Sequence, residues 1–242
     1  MIPRFHCPFP LSPGAQIDLP EGAAHHALKV LRMREGDSVL LFDGRGGEWR
    51  AEIVGAGKTA SVALREFNAR DCESPLSVTL AQALPAGDKM DWIVEKCVEL
   101  GVTAIQPLAA KRSVIKLSAE RMDRRVAHWN AVAAAACEQC QRNRVPVVAP
   151  VLDLPQYLAL AKAQNPAGLL LSPEGGTALG ALPKPASPLV IMAGPEGGWE
   201  AGELQAAQAA GFQAVTLGPR VLRTETAGAA MIAAMQAVWG DF

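Results

Sequence analysis

The chain has 242 residues and a formal net charge of −1, with half of its residues hydrophobic and 19% charged. This length allows one large domain or two smaller ones, and the composition is typical of a globular protein that buries a core. The sequence contains no run of about 18 apolar residues and no apolar signal segment, so we expect neither a membrane span nor secretion. Five scattered cysteines argue against a disulfide framework and favour the cytoplasm.

Short apolar segments dominate the first third of the chain. Residues 38–43, 48–54 and 60–67 predict three strands separated by glycine-rich turns, and residues 23–33 predict one helix. This pattern is typical of a small β-barrel or compact sheet. Residues 68–75 have the composition of a linker. We therefore expect one domain over residues 1–72 and a second over 73–242.

Strands alternate with helices after that boundary. The segment DKMDWIVEKCVELG has apolar residues at i, i+3, i+4, i+7 and i+8 and ends in glycine, so it predicts a helix. Residues 118–140 predict a long helix. Later apolar runs at 168–171, 189–193 and 213–217 each precede glycine or proline and then helical sequence. Such repeated units predict a mostly parallel sheet covered by helices on both faces.

Three loops in the second half carry the main functional signal. They are LLLSPEGG, VIMAGPEGGWE and VTLGPRVLRTET, and each follows a predicted strand. The carboxyl ends of strands in an open α/β sheet form the edge where ligands bind. Glycine permits close backbone approach to a ligand, and proline stiffens a loop. The residues alone therefore predict a ligand site at this edge, against the alternative of ordinary tight turns.

Two other features carry weaker signals. Residues 111–144 contain eight basic and three acidic side chains, so this segment either attracts phosphate groups or forms a solvated helix face. The motif CEQC at 137–140 has the spacing of a redox or zinc motif. It has no second cysteine pair or histidine pair, so we expect a helix end and no metal site.

The longer motifs resemble the RsmE family of ribosomal RNA methyltransferases, in the knotted SPOUT superfamily. AGPEGGWEAGEL and LGPRVLRTETA carry the resemblance most specifically, and HHALKVLRMREGDSVLLFDGRGGEW, DKMDWIVEKCVELGV and ACEQCQRNRVP extend it over nearly the whole chain. The family usually has serine at the position of Cys140, which further weakens a redox interpretation of CEQC.

The resemblance implies an α/β protein in which a small PUA-like β-barrel that binds RNA precedes a SPOUT methyltransferase domain with a trefoil knot. It also implies a homodimer, S-adenosyl-L-methionine as methyl donor, and methylation of uracil N3 in 16S rRNA near the decoding site. The assembled or nearly assembled small subunit would be the partner. Carried onto this chain, the cofactor residues are Leu171, Ser172, Ala193, Gly194, Pro195, Gly197, Gly198, Leu217, Gly218 and Leu222.

Attack by uracil N3 requires loss of its proton and stabilisation of negative charge on O2 or O4. Arg223 is the expected source of that stabilisation, because guanidinium is a fixed cation with several donors. Glu196 or Glu225 would accept the proton or orient Arg223, and Glu225 could equally serve the dipole of the last helix. The expected RNA contacts are Arg4, Lys29, Arg32, Arg34, Arg112 and Arg142.

Two alternatives remain at this stage. One is a related knotted enzyme that methylates tRNA. The other is a non-catalytic RNA-binding or ribosome-assembly factor, which would use the barrel and the basic segment without binding a methyl donor.

Overall fold

The computed structural model describes residues 2–57, 59–113, 118–164, 166–173, 175–185 and 188–242. Its internal contacts divide the chain into two compact units. The first comprises Met1–Glu73 and Ala134–Val145, and the second comprises Ser74–Ala133 and Pro146–Phe242. The first break lies next to the predicted boundary at residue 72, whereas the grouping of Ala134–Val145 with the first unit has no counterpart in the sequence pattern.

A five-stranded sheet forms the first unit. Its strands are β1 (Arg4–His6), β2 (Gln16–Asp18), β3 (Ser38–Phe42), β4 (Glu48–Ala56) and β5 (Ala60–Asn68). They lie in the order β1-β3-β4-β5-β2, and β3, β4 and β5 pair antiparallel. The three long strands confirm the prediction from alternating apolar residues, whose inward members, such as Leu41 and Ile53, are buried.

The helix predicted over residues 23–33 is shorter and changes type. It begins as α1 (Glu21–His25) and continues as a π-helical turn over His26–Val30. The Leu31 amide bonds to the His26 carbonyl at 2.9 Å, five residues back, which widens the helix. Arg32 then takes a left-handed backbone with φ of 57°, so the helix cannot continue to residue 33.

A parallel sheet forms the second unit. Its strands are β6 (Val78–Ala83), β7 (Ala104–Ala109), β8 (Val147–Val148), β9 (Leu152–Asp153), β10 (Ala167–Leu171), β11 (Thr177–Ala178), β12 (Leu189–Ala193) and β13 (Gln213–Thr216). The order is β11-β13-β10-β12-β6-β7-β8, with β9 also paired to β7. The pairings among these strands are parallel, which confirms the predicted sheet type.

In the described part of the chain five α-helices follow β6: α2 (Lys89–Glu99), α3 (Ala119–Cys140), α4 (Leu154–Gln164), α5 (Ala201–Ala209) and α6 (Thr224–Trp239). The last residues of α3 are grouped with the first unit. The apolar stripe of α2 is buried as its spacing predicts, and Gly101 follows it with φ of 88°. The segment between β10 and β12 differs from the prediction, because its described residues form β11 and a short 3-10 turn over Leu179–Ala181 and no α-helix.

Helices cover both faces of the parallel sheet. Ala81 of β6 belongs to a buried cluster with Tyr157 of α4 and Ala207 of α5. Its neighbour Leu80 faces the other way and packs against Gly228 of α6, where an added Cβ would lie 3.0 Å from Leu80 Cδ1. Because neighbouring side chains on a strand point to opposite faces, α6 lies across the sheet from α4 and α5.

Among the described residues, no helix combines the length and the apolar character that crossing a membrane requires.

Candidate active site

The three loops predicted to bind a ligand meet at one edge of the parallel sheet. Their strands β13, β10 and β12 are adjacent and parallel, so their carboxyl ends lie side by side. Together with the start of α6, the loops enclose a cavity of about 610 Å³. This volume lies within the range of small-molecule sites, roughly 300–1,000 Å³.

Most of the predicted site residues line this cavity. They are Leu171, Ser172, Gly194, Pro195, Glu196, Gly197, Gly198, Leu217, Leu222, Arg223 and Glu225. Ala193 does not reach the cavity, because it is fully buried at the end of β12. Gly218 shapes the third loop with φ of 68°, and its carbonyl accepts a 3.3 Å hydrogen bond from the Thr216 hydroxyl.

Two glycines allow the compact backbone of the second loop. An added Cβ on Gly194 would lie 3.0 Å from Nε1 of Trp199, so the indole occupies the space of a side chain. Gly198 has φ of 68° and closes a turn by donating to the Pro195 carbonyl at 2.9 Å. The buried indole nitrogen of Trp199, which borders the cavity, has no hydrogen-bond partner among the described residues.

Arg223 stands at the start of α6 with its side chain exposed at the cavity. It is the residue before the first helical position, with φ of −67° and ψ of 154°. Its carbonyl accepts the amide hydrogen bonds of Thr226 and Ala227, both at 2.9 Å, which fixes its backbone. Within the described part of the chain its guanidinium has no hydrogen bond or ion pair, so its donors are available to a ligand.

Lys89 joins the two glutamates of the cavity, a role that sequence patterns did not identify. Its ammonium lies 2.9 Å from Oε1 of Glu196 and 3.2 Å from Oε2 of Glu225. Both carboxylates favour the charged ammonium and so raise the pKa of Lys89, and the hydrogen bond to Glu196 contributes most to this rise. The lysine therefore stays protonated and ties the second loop to the first turn of α6.

Glu196 is held as a carboxylate. Partial burial favours its neutral form, but the hydrogen bonds from Lys89 and from backbone amides outweigh that effect and lower the pKa of Glu196. One of these amides belongs to Ala86, 3.1 Å from Oε1. A carboxylate with this many donors is a weak proton acceptor.

Arg112 reaches the cavity from the segment after β7. Its Nη1 donates a 2.8 Å hydrogen bond to the Gly197 carbonyl. The preceding residue is fixed by Glu203, a buried carboxylate that accepts the Lys111 amide at 3.0 Å and the Glu200 amide at 2.9 Å. This arrangement places a cation beside the second loop, near the cavity mouth.

The predicted RNA contacts Arg4 and Arg142 require correction, because both side chains are buried in the first unit. Arg4 forms a buried ion pair with Glu48 and donates to Oδ1 of Asn143 at 2.6 Å. Arg142 pairs with Glu73, with Nε 3.0 Å from Oε2. Their charges are therefore used within the unit, and neither guanidinium lies at a surface that RNA can reach.

The other three predicted contacts in the first unit are exposed. Lys29 lies on the π-helical turn, and Arg32 and Arg34 follow it. Of the basic segment 111–144, Lys116 lies outside the described residues, as does Glu174 of the first PEGG copy.

The CEQC motif forms the end of α3. Cys137 donates from its thiol to the Arg144 carbonyl at 3.7 Å. A hydrogen bond with Cys140 and then burial raise the pKa of the Cys137 thiol. A raised pKa disfavours the thiolate, which is the form that binds metals or attacks disulfides.

Comparison with known proteins places these features in one family. The chain matches the RNA methyltransferase domain over residues 72–236 and the RNA methyltransferase PUA domain over residues 19–63. It is 36% identical to ribosomal RNA small subunit methyltransferase E of Synechocystis sp. over 228 residues, covering 93% of this chain and 74% of the relative. The corresponding Bacillus subtilis protein is 34% identical over 214 residues, covering 84% of this chain and 82% of the relative.

A solved structure agrees over the full length. The crystal structure of a ribosomal RNA small subunit methyltransferase E from Neisseria gonorrhoeae, bound to S-adenosyl methionine, superposes with a TM-score of 0.92. The two chains are 43% identical, and the match covers 100% of each. With its PUA domain and its methyltransferase domain both matched, the chain belongs to the ribosomal RNA small subunit methyltransferase E family.

Proposed function

We propose that the protein transfers a methyl group from S-adenosyl-L-methionine to N3 of a uracil in 16S rRNA, near the decoding site of the small ribosomal subunit in the cytoplasm. The observation that carries this proposal is the cavity at the sheet edge, where the Arg223 guanidinium, unpaired among the described residues, lies beside three loops that contain glycine. Membership of the family supports the same reaction.

The cavity suits S-adenosyl-L-methionine in size and chemistry. Leu171, Leu217 and Leu222 supply apolar surface for the adenine, and the backbone of the second loop supplies polar groups for the ribose. The buried Trp199 indole nitrogen is a further donor at this wall. When bound, the cofactor supplies an electrophilic methyl group on its sulfonium, and the loops would orient that group towards the acceptor base.

Arg223 would stabilise the negative charge that develops on the uracil when N3 loses its proton. Its backbone is fixed at the start of α6, and its side chain is not engaged elsewhere in the described residues. A preorganised cation costs little reorganisation as the charge forms. Orientation of Arg223 by Glu196 or Glu225 has no support, because both carboxylates pair with Lys89.

Glu225 is the better placed proton acceptor of the two glutamates. The oxygens of Glu196 accept hydrogen bonds from Lys89 and from the Ala86 amide, and its pKa is lowered. Glu225 has the more distant contact with Lys89, 3.2 Å, and lies two residues after Arg223 on the first turn of α6. We assign proton acceptance to Glu225 and loop positioning to Glu196.

Exposed cations would guide the RNA towards the site. Lys29, Arg32 and Arg34 on the first unit and Arg112 beside the second loop are the proposed phosphate contacts. The proposed RNA-binding domain covers residues 1–72 and the methyltransferase domain residues 73–242. We further propose that the first sheet belongs to a closed PUA-like barrel and that the carboxyl-terminal chain forms a trefoil knot.

A homodimer is proposed from the surface of α2 and α6. Trp92 is 43% exposed there, beside the small side chains of Ala229, Ala230 and Ala233. Small side chains permit close helix approach, and an exposed tryptophan is typical of an interface. Such a contact would bring two copies of α6, and so two cofactor cavities, into one assembly.

The decisive experiment compares purified small subunits with tRNA as methyl acceptors. Subunits come from a strain that lacks this protein, and radiolabelled S-adenosyl-L-methionine is the donor. We expect incorporation into 16S rRNA, with N3-methyluridine as the labelled nucleoside by mass spectrometry. Label in tRNA alone, or in another nucleoside, would overturn the proposed substrate, and failure to bind the cofactor in calorimetry would favour a non-catalytic RNA-binding factor.

A further inference from the structure

Gln82 is a fully buried polar residue in the middle of the parallel sheet. It lies on β6, beside Leu80 on the face that α6 covers. Its side-chain oxygen has no hydrogen-bond partner among the described residues. A buried polar atom without a partner costs stability, and an apolar side chain would pack against α6 without that cost. The amide is therefore kept at this position despite a cost in stability.

The nitrogen of the same amide makes two hydrogen bonds. Gln82 Nε2 donates to the Ala83 carbonyl at 2.9 Å and to the hydroxyl of Thr224 at 3.2 Å. Both protons of the amide are then used. Because the Thr224 hydroxyl accepts from Gln82, its own single proton is free to be donated elsewhere.

That proton goes to the cofactor loop. Thr224 Oγ1 donates to the Gly194 carbonyl at 2.5 Å, and Thr224 is itself 6% exposed. The indole of Trp199 packs against Gly194, 3.0 Å from the position of an added Cβ. The peptide that follows β12 is therefore held by a hydroxyl and by an aromatic ring, while Gly194 also lines the cavity.

We infer that Gln82 and Thr224 are positioning residues that fix the Gly194 loop relative to Arg223. Thr224 directly follows Arg223, so one hydroxyl links the residue proposed to act on the base with the loop proposed to hold the methyl donor. Gln82 anchors that hydroxyl to β6 and sets the direction in which it donates. The inference rests on the proposed function, since it assigns these residues to the same site.

The test uses the full-length protein with three substitutions. Thr224→Val keeps the shape but removes the hydroxyl, Thr224→Ser keeps the hydroxyl, and Gln82→Met removes the amide at similar length. Thr103→Val is the control for the loss of a threonine-to-carbonyl hydrogen bond, because the Thr103 hydroxyl donates to the Val78 carbonyl at 2.8 Å at the amino-terminal end of β6, and Thr103 is not a cavity residue.

We expect Thr224→Val to weaken S-adenosyl-L-methionine binding in calorimetry by about tenfold and to lower kcat by a similar factor. Thr224→Ser should restore both values, and Thr103→Val should lower the melting temperature without changing either. Gln82→Met should weaken binding by a smaller factor. Combined with Thr224→Val it should add nothing further, because both changes break the same chain of hydrogen bonds.

Wild-type cofactor affinity and kcat in Thr224→Val would overturn the inference, as would additive effects in the double variant. An equal loss in Thr103→Val would assign the effect to general destabilisation and overturn it as well. Gln82→Met tests the same chain of hydrogen bonds through a residue of β6, without a substitution in α6. A different result would contradict the proposed function: wild-type protein would bind the cofactor but would not methylate small subunits.

Discussion

Lys89 and Glu196 lie 107 residues apart in the sequence, yet the lysine ammonium donates a 2.9 Å hydrogen bond to the glutamate carboxylate at the cavity wall. The same ammonium also lies 3.2 Å from Glu225. One cation thus serves two carboxylates, which leaves the exposed Arg220 and Arg223 without an acidic partner among the described residues. The cavity keeps positive charge available for an anionic base or for phosphate.

Replacing Lys89 with methionine tests this ion pair through the pH dependence of stability. A carboxylate whose pKa is lowered stabilises the folded state above its ordinary value of 4.5, and the contribution is lost as pH falls through the lowered pKa. Lys89→Met should therefore unfold at a lower temperature than the wild type near neutral pH. The gap should close as the pH falls below 4.5 and through the lowered pKa of Glu196.

Lys162→Met on α4 is the control for that comparison, because this exposed lysine lies outside the cavity. It should match the wild type throughout the titration. A constant gap at every pH for Lys89→Met would show that lost packing, rather than the ionised Glu196, explains the difference.

Arg223→Ala should retain cofactor binding but lose turnover. Removing a preorganised charge-stabilising donor typically lowers kcat by about 10² to 10³. Calorimetry with S-adenosyl-L-methionine and methylation of purified small subunits measure the two quantities separately. Arg223→Lys should fall between, since an ammonium keeps the charge without the planar donors. Unchanged turnover in the alanine variant would remove Arg223 from the chemical step.

The two cavity glutamates should differ when each loses its charge. Glu225→Gln should lower kcat by about 10² to 10⁴, the range for loss of a general base. Glu196→Gln should act mainly on KM for the cofactor, because it loosens the second loop from Lys89. The pH profile of kcat with small subunits checks the assignment. A larger kcat loss in Glu196→Gln would instead assign proton acceptance to Glu196 and loop positioning to Glu225.

Sequence patterns identified the regular part of this fold and most of the cavity. Alternation predicted β3, β4 and β5, and the apolar stripe predicted α2, because these elements bury one face each. The strands β8, β9 and β11 have two residues each, which is too short to show an alternating apolar pattern. They depend on pairing with distant strands.

Charge was harder to interpret than apolar pattern. Arg4 was predicted to contact RNA, but its partner Glu48 is 44 residues away and both side chains are buried. Lys89 was missed for the same reason, since nothing near it in the sequence shows that its partners follow β12 and begin α6. Glycine-rich loops were recognised because their backbone requirements are local, whereas ion pairs depend on the completed fold.

Gly194→Ala should weaken cofactor binding while leaving the sheet intact. The new Cβ would lie 3.0 Å from the Trp199 indole, so the ring or the loop must shift. Overpacking of this kind costs about 1–3 kcal/mol. Gly202→Ala in α5 is the control, because an added Cβ there meets nothing within 4 Å. Calorimetry and thermal unfolding of both variants separate a local change from a global one, and equal affinities would contradict the close contact.

Arg4→Met should lower stability without changing RNA binding, whereas Lys29→Ala should weaken RNA binding without changing stability. Arg4 and Glu48 form a buried pair, each side chain 5% exposed, so removing one partner should cost about 3–5 kcal/mol of unfolding free energy in denaturant titrations. Lys29 is exposed, and its loss should leave stability within about 0.5 kcal/mol. RNA affinity measured against salt concentration should fall for Lys29→Ala, with a slope reduced by about one contact. At temperatures where Arg4→Met stays folded, its slope should equal that of the wild type.

Replacing both Arg4 and Glu48 with methionine should recover much of the lost stability, because no charge is then left buried alone. A reduced salt slope in Arg4→Met without loss of stability would return this arginine to the RNA-binding surface.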